Sequence, residues 1–174
     1  NITELTSIDC PSGCAATTSI LPISLVSNKE CTISNPIVTG QGTQGIEVAG
    51  GGDLVINNPI LKGNYGRQGV ISGSSGIEVH GSSRYLDNVA TSRALTMGTV
   101  QVNGGVITGY HKGVNVRKGH VALNNVNIHG NRKHGVVLDN NGNQEWSNTD
   151  DLRPSAKINN CDIHVSYTHI TQQT

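Results

Sequence analysis

The sequence predicts an all-β chain that folds as a parallel β-helix, a solenoid of four to five stacked coils behind an N-terminal cap. The first observation is that the motif Ile/Leu/Val-x-Asn-x-x-Ile/Leu/Val-x-Gly recurs along the 174 residues. Repeats with a period of roughly 20 to 50 residues are typical of solenoids. The second is composition: 22 Gly, no Phe and an apolar content rich in β-branched Ile and Val, which suits strands.

Five segments align without gaps on this motif. They are residues 32–40, 55–63, 101–109, 122–130 and 157–165. A second column, Gly-Ile/Val-x-Val/Leu, follows in four of the units, at residues 45–48, 76–79, 113–116 and 135–138. Each unit therefore holds three short strands separated by turn residues, and alternation directs every second side chain inward. Such a coil can bury its apolar face only against the next coil.

An Asn or Gly is expected at the first corner of every coil. Gly104 occupies this column in one unit, and Asn occupies it in the others, as Asn35, Asn58, Asn125 and Asn160. Both residue types tolerate the left-handed backbone conformation, and Asn side chains stacked from coil to coil would form a ladder. We interpret this column as scaffold.

The domain organisation follows from where the repeat fails. Residues 1–30 fit it badly and are predicted to form the N-terminal cap, while residues 31–174 hold the coils. Insertions at 64–75, 81–98 and 140–155 interrupt the coils. The last two follow the same repeat column and are expected on one edge, a frequent binding face of repeat proteins. The final unit looks cut short, so we expect the chain to be a piece of a longer solenoid.

Four cysteines bear on the compartment of the protein. None has the C-x-x-C spacing of zinc or thioredoxin-type sites. Cys10 and Cys14 could close a small disulfide, with Cys31 as a rival partner for either. A disulfide would indicate a secreted or periplasmic protein; the alternative is that all the cysteines, Cys161 included, are reduced and buried. No segment approaches the roughly 20 apolar residues of a membrane span.

The charge distribution predicts a binding surface. The formal net charge is +0, but residues 88–138 contain no Asp or Glu and carry the candidate binding residues Lys112, Arg117, Lys118, Arg132, Lys133 and His134. The turns at 110–113 and 131–134 are equivalent in the repeat and should stack. A compact basic patch could bind a sulfated glycosaminoglycan, an acidic polysaccharide or an acidic protein surface; the alternative is a solvated rim without a partner. Nucleic acid is disfavoured, because aromatic residues make up only 3% and are not interleaved with the basic residues, and because the overall charge is zero.

The inserted loops supply further candidate binding residues. Arg84 and Tyr85 lie in one loop, and Trp146 and Arg153 lie in another. Trp, Tyr and Arg commonly anchor protein interfaces. Trp146 could equally pack against the flank of the solenoid and hold its own loop.

A catalytic or metal site is not evident. Glu47 and Glu78 share a repeat column and should point outward beside Asn115; we expect them to be solvated surface acids. His129 and His164 also share a column, and we expect the histidines to be exposed, titrating side chains rather than zinc ligands. The sequence therefore predicts no metal, no cofactor and, on balance, no enzymatic activity.

The Asn-rich, Gly-punctuated coils resemble the pectate-lyase-like β-helix superfamily, which includes lyases, polygalacturonases and epimerases. Residues 104–109 (GGVITG) and 113–119 (GVNVRKG) look like repeats of autotransporter passenger domains, in particular the Bartonella-type members, which include adhesins and an angiogenic factor acting on host endothelial receptors. This resemblance implies a right-handed β-helix that is secreted or displayed on a bacterial cell surface. It assigns no function to any single residue.

The expected function is therefore that of a secreted bacterial passenger fragment. It would bind a host-cell surface receptor or glycosaminoglycan, as an adhesin or a virulence factor. The alternative is a carbohydrate-active β-helix enzyme (a lyase, hydrolase or epimerase) or a phage-type polysaccharide binder.

Overall fold

The computed structural model describes residues 2–4, 7–9, 15–17, 23–26, 31–39, 44–49, 53–63, 73–80, 99–117, 119–139 and 154–165. Within these residues every regular element is a β-strand, and there is no helix that could cross a lipid bilayer.

The strands follow the predicted coils. Before the first coil lie β1 (Ile2–Glu4), β2 (Ser7–Asp9), β3 (Ala15–Thr17) and β4 (Ile23–Val26). Coil 1 consists of β5 (Cys31–Ser34), β6 (Ile37–Thr39) and β7 (Gln44–Ala49), and coil 2 of β8 (Leu54–Asn57), β9 (Ile60–Lys62) and β10 (Ser75–His80). Coil 3 consists of β11 (Thr99–Asn103), β12 (Val106–Thr108) and β13 (Lys112–Val116), and coil 4 of β14 (His120–Asn124), β15 (Asn127–Asn131) and β16 (His134–Leu138). Coil 5 shows β17 (Ser155–Asn159) and β18 (Asp162–Val165).

Equivalent strands of successive coils pair in three sheets. The first sheet has the order β2-β5-β8-β11-β14-β17, the second β1-β6-β9-β12-β15-β18 and the third β3-β4-β7-β10-β13-β16. Every pairing between two coils is parallel. The prediction of a parallel β-helix of four to five coils is therefore confirmed.

The register confirms the gapless alignment of the repeat. Ile33 pairs with Ile56, Ile56 with Val102, Val102 with Leu123, and Leu123 with Ile158. Two of these steps cross inserted segments, so the insertions leave the stacking of the coils unchanged. In the structure β10 begins at Ser75 and β17 at Ser155, the last residues of two of the predicted insertions.

The N-terminal strands change direction at the edge of each sheet. β1 and β2 pair antiparallel with β6 and β5, and β3 pairs antiparallel with β4. β4 itself pairs in parallel with β7 and adds one strand to the third sheet beyond coil 1. The parallel stacking of coils therefore ends here in all three sheets.

The first corner of each coil has the predicted left-handed backbone. The φ angles are 51° at Asn35, 48° at Asn58, 68° at Gly104, 56° at Asn125 and 49° at Asn160. Asn160 Nδ2 donates to Asn125 Oδ1 at 2.7 Å, whereas Gly104 interrupts this outer ladder.

A second ladder runs one residue earlier through coils 2 to 5, where each Nδ2 donates to the Oδ1 of the coil before it; coil 1 carries Ser34 in this column. The distances are 3.0 Å from Asn103 to Asn57, 3.0 Å from Asn124 to Asn103 and 2.7 Å from Asn159 to Asn124. The predicted Asn ladder is thus confirmed, and it is doubled. Paired amides at the corner fix the register of neighbouring coils.

The Gly of the second column is required by close packing. A Cβ atom at Gly76 would lie 2.3 Å from Ile107 Cγ2, and one at Gly113 would lie 2.5 Å from Ile128 Cγ2. In each case the Ile belongs to the next coil. The third sheet can approach the second this closely only because the column carries no side chain.

The core is formed by columns of inward aliphatic side chains, and it opens at coil 5. Ile128 is 0% exposed, whereas Ile163, which pairs with it, is 36% exposed. Among the described residues the exposed large apolar side chains are Leu138, Ile158 and Ile163. They lie on β16, β17 and β18, the last strand of each sheet.

These two Ile positions provide a direct test of the stacking. We expect Ile128→Ala to lower the free energy of unfolding by about 2–4 kcal/mol, because it leaves a cavity between two coils. Ile163→Ala should cost less than about 1 kcal/mol, because that side chain already contacts solvent. Urea unfolding of both variants measures the difference, and equal losses would show that coil 5 is covered.

Candidate functional site

Two turns of coils 3 and 4 bring the predicted basic residues together between the second and third sheets. Arg132 N donates to Tyr110 O at 2.7 Å, and Lys133 N donates to His111 O at 2.9 Å. The turn after β15 therefore lies directly on the turn after β12, as the repeat predicted. We call the exposed residues Arg132, Lys133 and His134 the basic corner.

Buried polar and aromatic groups hold this pair of turns in place. The Asn131 side chain is fully buried; its Oδ1 accepts a hydrogen bond from Tyr110 N at 3.0 Å, and its Nδ2 donates to Ile107 O at 3.3 Å. The Tyr110 ring is buried behind the turn, and this burial raises the pKa of its hydroxyl above the ordinary range. The turn is therefore a rigid support and not a loose loop.

The space for the Tyr110 ring is provided by glycines of earlier coils. A Cβ atom at Gly45 would lie 2.8 Å from the Tyr110 hydroxyl oxygen, and one at Gly63 would lie 2.9 Å from Tyr110 Cδ1. Tyr110 and Asn131 begin the two turns that the sequence predicts to stack, but their supporting role was not predicted. A usable signal was present, since each follows a Gly at the same place in its unit, as Gly109-Tyr110 and Gly130-Asn131.

His111 lies beneath the basic corner. It is only 8% exposed, so the expectation of an exposed side chain is wrong here, although it is right for His134. The His111 backbone N donates to Ser74 Oγ at 3.0 Å, and its ring Nδ1 accepts a hydrogen bond from Gly73 N at 3.3 Å. Accepting this bond requires an unprotonated Nδ1, so the neutral ring carries its proton on Nε2.

The surroundings of His111 favour its neutral form. Burial lowers the pKa of the imidazole, and cationic neighbours lower it further, in the order Lys133, Arg132, Lys112 and His134. Both causes disfavour an added positive charge. The four neighbours also show that these cations lie close enough to act as one electrostatic group.

The predicted binding residues do not all remain available. Lys112 Nζ lies 3.8 Å from Asp139 Oδ2, and Arg117 Nε lies 3.1 Å from Glu78 Oε1. Within the described part of the chain, Arg132 and Lys133 have no carboxylate partner. The remaining predicted binding residues, Lys118, Arg84, Tyr85, Trp146 and Arg153, and the disulfide candidates Cys10 and Cys14, lie outside the described residues.

The acidic residues of the third sheet are not solvated. Glu47 is 2% exposed and Glu78 is 1% exposed, so the prediction of surface acids is wrong. Strand pairing places Glu47, Glu78 and Asn115 side by side on successive strands, and alternation with the core residues directs them to the outer face. The two Glu side chains point outward as the alternation predicts, but the outer face of this sheet is covered at these positions.

The contacts of Glu78 explain how its charge is accommodated. Besides Arg117, Gln44 Nε2 donates to Glu78 Oε2 at 2.8 Å. One carboxylate oxygen thus accepts a hydrogen bond, and the other lies against a guanidinium, which accommodates the buried charge. The neighbouring Asn115 amide is fully buried, and neither its Nδ2 nor its Oδ1 has a partner among the described residues.

A metal centre is not formed by the described residues. Among them no three His, Cys, Asp or Glu side chains lie close enough to hold an ion. His164 contacts Asp162 at 2.6 Å, and both side chains are exposed. Cys161 is a free thiol, and Cys31 is buried in β5; the pairing among Cys10, Cys14 and Cys31 stays a prediction.

The strands of the third sheet separate the basic corner from the residues after which the two long insertions begin. His134 begins β16, while residues 81–98 and the segment after Asp139 follow the C-terminal ends of β10 and β16. A strand of five residues is about 16 Å long. The basic corner and the residues after which these insertions begin therefore lie at opposite ends of the strands of the third sheet. The first insertion differs, since it rejoins the fold at Gly73 and Ser74, beside His111.

Comparisons of the chain with models of known protein families, with curated proteins and with solved structures give no match. The fold defines the class of protein, a three-sheet parallel β-solenoid with a basic corner on its fourth coil.

The ion pair of the third sheet leads to a stability prediction. We expect Arg117→Met to lower the free energy of unfolding by about 1–3 kcal/mol, because a buried carboxylate loses its cation. The loss stays at the lower end of the range for buried pairs, since the Arg117 side chain is 47% exposed. Arg132→Met, which removes an exposed cation, should change stability by less than about 0.5 kcal/mol. Thermal or urea unfolding distinguishes the two, and an Arg117→Met variant as stable as Arg132→Met would contradict the structural role.

Proposed function

We propose that this protein is a non-enzymatic binding module that engages a polyanion through the basic corner. The partner class is a sulfated glycosaminoglycan or an acidic polysaccharide of a host-cell surface. The observation that carries the proposal is the position of Arg132, Lys133 and His134: all three are exposed on a turn that backbone hydrogen bonds fasten to the coil below.

The electrostatics support a polyanion over a neutral ligand. Burial, and after it the charges of the neighbouring basic side chains, lower the pKa of His111, so several basic groups lie close to one ring. Closely spaced like charges repel one another, so an anionic ligand that lies across them gains attraction and also relieves repulsion. A sulfate group suits such a site, because it accepts several charge-assisted hydrogen bonds from Arg and Lys.

The rigidity of the turn supports binding by a preformed surface. Arg132 and Lys133 are held by their own backbone N–H groups, and the turn beneath them is held by the buried side chain of Asn131. Only the exposed side chains then lose conformational freedom when ligand binds.

The cellular setting is a further part of the proposal. The resemblance of residues 104–119 to autotransporter passenger repeats supports secretion by, or display on, a Gram-negative bacterium, with adhesion or receptor binding as the biological role. A solenoid suits this setting, because an elongated, repetitive scaffold displays turns and insertions on its surface.

We expect the basic corner to dominate binding to a sulfated oligosaccharide such as a heparin hexasaccharide. The double variant Arg132→Ala/Lys133→Ala should bind about tenfold more weakly, since two contacts of about 0.7 kcal/mol each are lost. Isothermal titration calorimetry at low and moderate salt measures this change.

The matched control is Lys62→Ala/Lys157→Ala, which removes two exposed cations from β9 and β17. It changes the net charge equally, so it should bind within about twofold of the wild type if position matters and not charge alone. Equal losses in both double variants would overturn the proposal of a defined site.

A carbohydrate-active enzyme is the second candidate, and one observation favours it. Glu47 and Glu78 lie on adjacent paired strands, which are about 4.8 Å apart, and retaining glycosidases place two carboxyl groups about 5–5.5 Å apart. The burial of both side chains and the two donors on Glu78 oppose this function, because a substrate must reach a catalytic carboxylate.

We therefore expect no increase in reducing ends or unsaturated products when the protein is incubated with heparin, pectate or alginate. Cleavage that Glu78→Gln abolishes while the variant keeps its β-sheet circular dichroism spectrum would favour the enzyme instead.

A further inference from the structure

His111 connects two parts of the molecule that the proposed function treats separately. Above it lies the basic corner, whose Lys133 N donates to His111 O at 2.9 Å. Beside it lies the end of the first insertion, whose Gly73 N donates to the His111 ring at 3.3 Å. Ser74, the next residue, receives the His111 backbone N–H at its Oγ.

The hydrogen bond from Gly73 depends on the protonation state of the ring. Nδ1 can accept it only as a bare nitrogen, and a proton on Nδ1 would place two donors against each other. Protonation of His111 therefore breaks the contact that fastens Gly73. Gly73 has a φ of 92°, and a Cβ atom placed on it would meet no atom within 4 Å, so there is open space on this side of its backbone.

The groups that face the imidazole are all cations or become cations when protonated. Within the described residues they are Lys133 and Arg132 from the upper turn, Lys112 from β13 and His134 from β16. Asp139 Oδ2 lies 3.8 Å from Lys112 Nζ, but it does not offset the effect of the four basic groups on the pKa of the ring. The ligand-free protein thus holds His111 neutral.

A polyanion bound across Arg132 and Lys133 favours the protonated form of His111 instead. It neutralises two of the charges that repel a proton from His111, and it adds negative charge close to the ring. We propose that His111 couples the two events, so that a sulfated glycan binds more tightly as the pH falls and its binding frees Gly73 from the basic corner. This coupling rests on the proposed function and adds to it the uptake of a proton by His111.

The direction with pH follows from linkage. In the ligand-free protein the pKa of His111 is lowered, so the stability that its neutral ring contributes is fully present above the ordinary histidine pKa of about 6.5 and is lost as the pH falls below it. Bound polyanion raises the pKa of His111, so the contribution of this residue to affinity increases as the pH falls from the pKa of the bound protein to the lower pKa of the ligand-free protein, and it is constant above that interval. By reciprocity, the ligand promotes protonation as much as protonation promotes binding.

The first measurement is an NMR titration of the wild-type protein with and without heparin hexasaccharide at fixed ionic strength. We expect the ligand to move the midpoint of the His111 ring signals to higher pH and to accelerate hydrogen exchange at the Gly73 amide in acid. A His111 midpoint that saturating ligand leaves in place would overturn the coupling. Absence of ligand-induced changes at the Arg132 and Lys133 amides would show instead that the proposed function itself has failed.

The second measurement compares affinities near pH 7.5 and pH 5.5 within each variant. His111→Asn keeps an acceptor for Gly73 but cannot titrate, whereas His164→Asn removes an exposed histidine of coil 5. We expect the gain in affinity on acidification to be about three- to tenfold larger in the wild type than in His111→Asn, and to be unchanged in His164→Asn. Equal gains in all three proteins would contradict the proposal.

Discussion

Every coil of this protein turns from its first strand to its second through one residue with a left-handed backbone, and the solenoid depends on that turn. The φ angles of 48° to 68° at these positions admit Asn and Gly at low cost and disfavour almost every other residue. The Asn side chains one residue earlier hydrogen-bond from coil to coil. The corner therefore fixes where each coil bends and also how it lies on its neighbour.

The basic corner follows from this register. Once Val102 lies on Leu123, the turns after β12 and β15 must lie on one another, and their Arg, Lys and His side chains are brought together. The turn after β12 contributes Lys112, and the turn after β15 contributes Arg132, Lys133 and His134. Stacked at about 4.8 Å, they act on one buried imidazole and offer one surface to an anion. The charge is local, since the net charge of the chain is +0.

The sequence was sufficient to predict the coils, the left-handed corner and the stacking of the basic turns, because each depends on residue types that recur at fixed spacing. It did not predict that Glu47 and Glu78 are buried. Alternation with period two shows which face of a strand a side chain occupies, but it does not show whether something covers that face. The contacts that pair Lys112 with Asp139 and Arg117 with Glu78 also escaped prediction, because they join residues far apart in sequence through long side chains. The sequence shows that Gly recurs in the second column. It does not show the reason, which is the close approach of an Ile from the next coil.

The outer face of the third sheet and the turn that leads into its strand β16 have different roles. The outer face carries a buried row of polar side chains with an ion pair between Glu78 and Arg117. The turn between β15 and β16 carries the exposed basic residues, and we place ligand binding on this turn. The most direct test is a map of amide chemical-shift changes in the ¹⁵N-labelled protein on titration with a heparin hexasaccharide. Changes centred on Tyr110, His111 and residues 132–134 are what the account predicts, whereas changes centred on Glu78 and Asn115, or none at all, would contradict it.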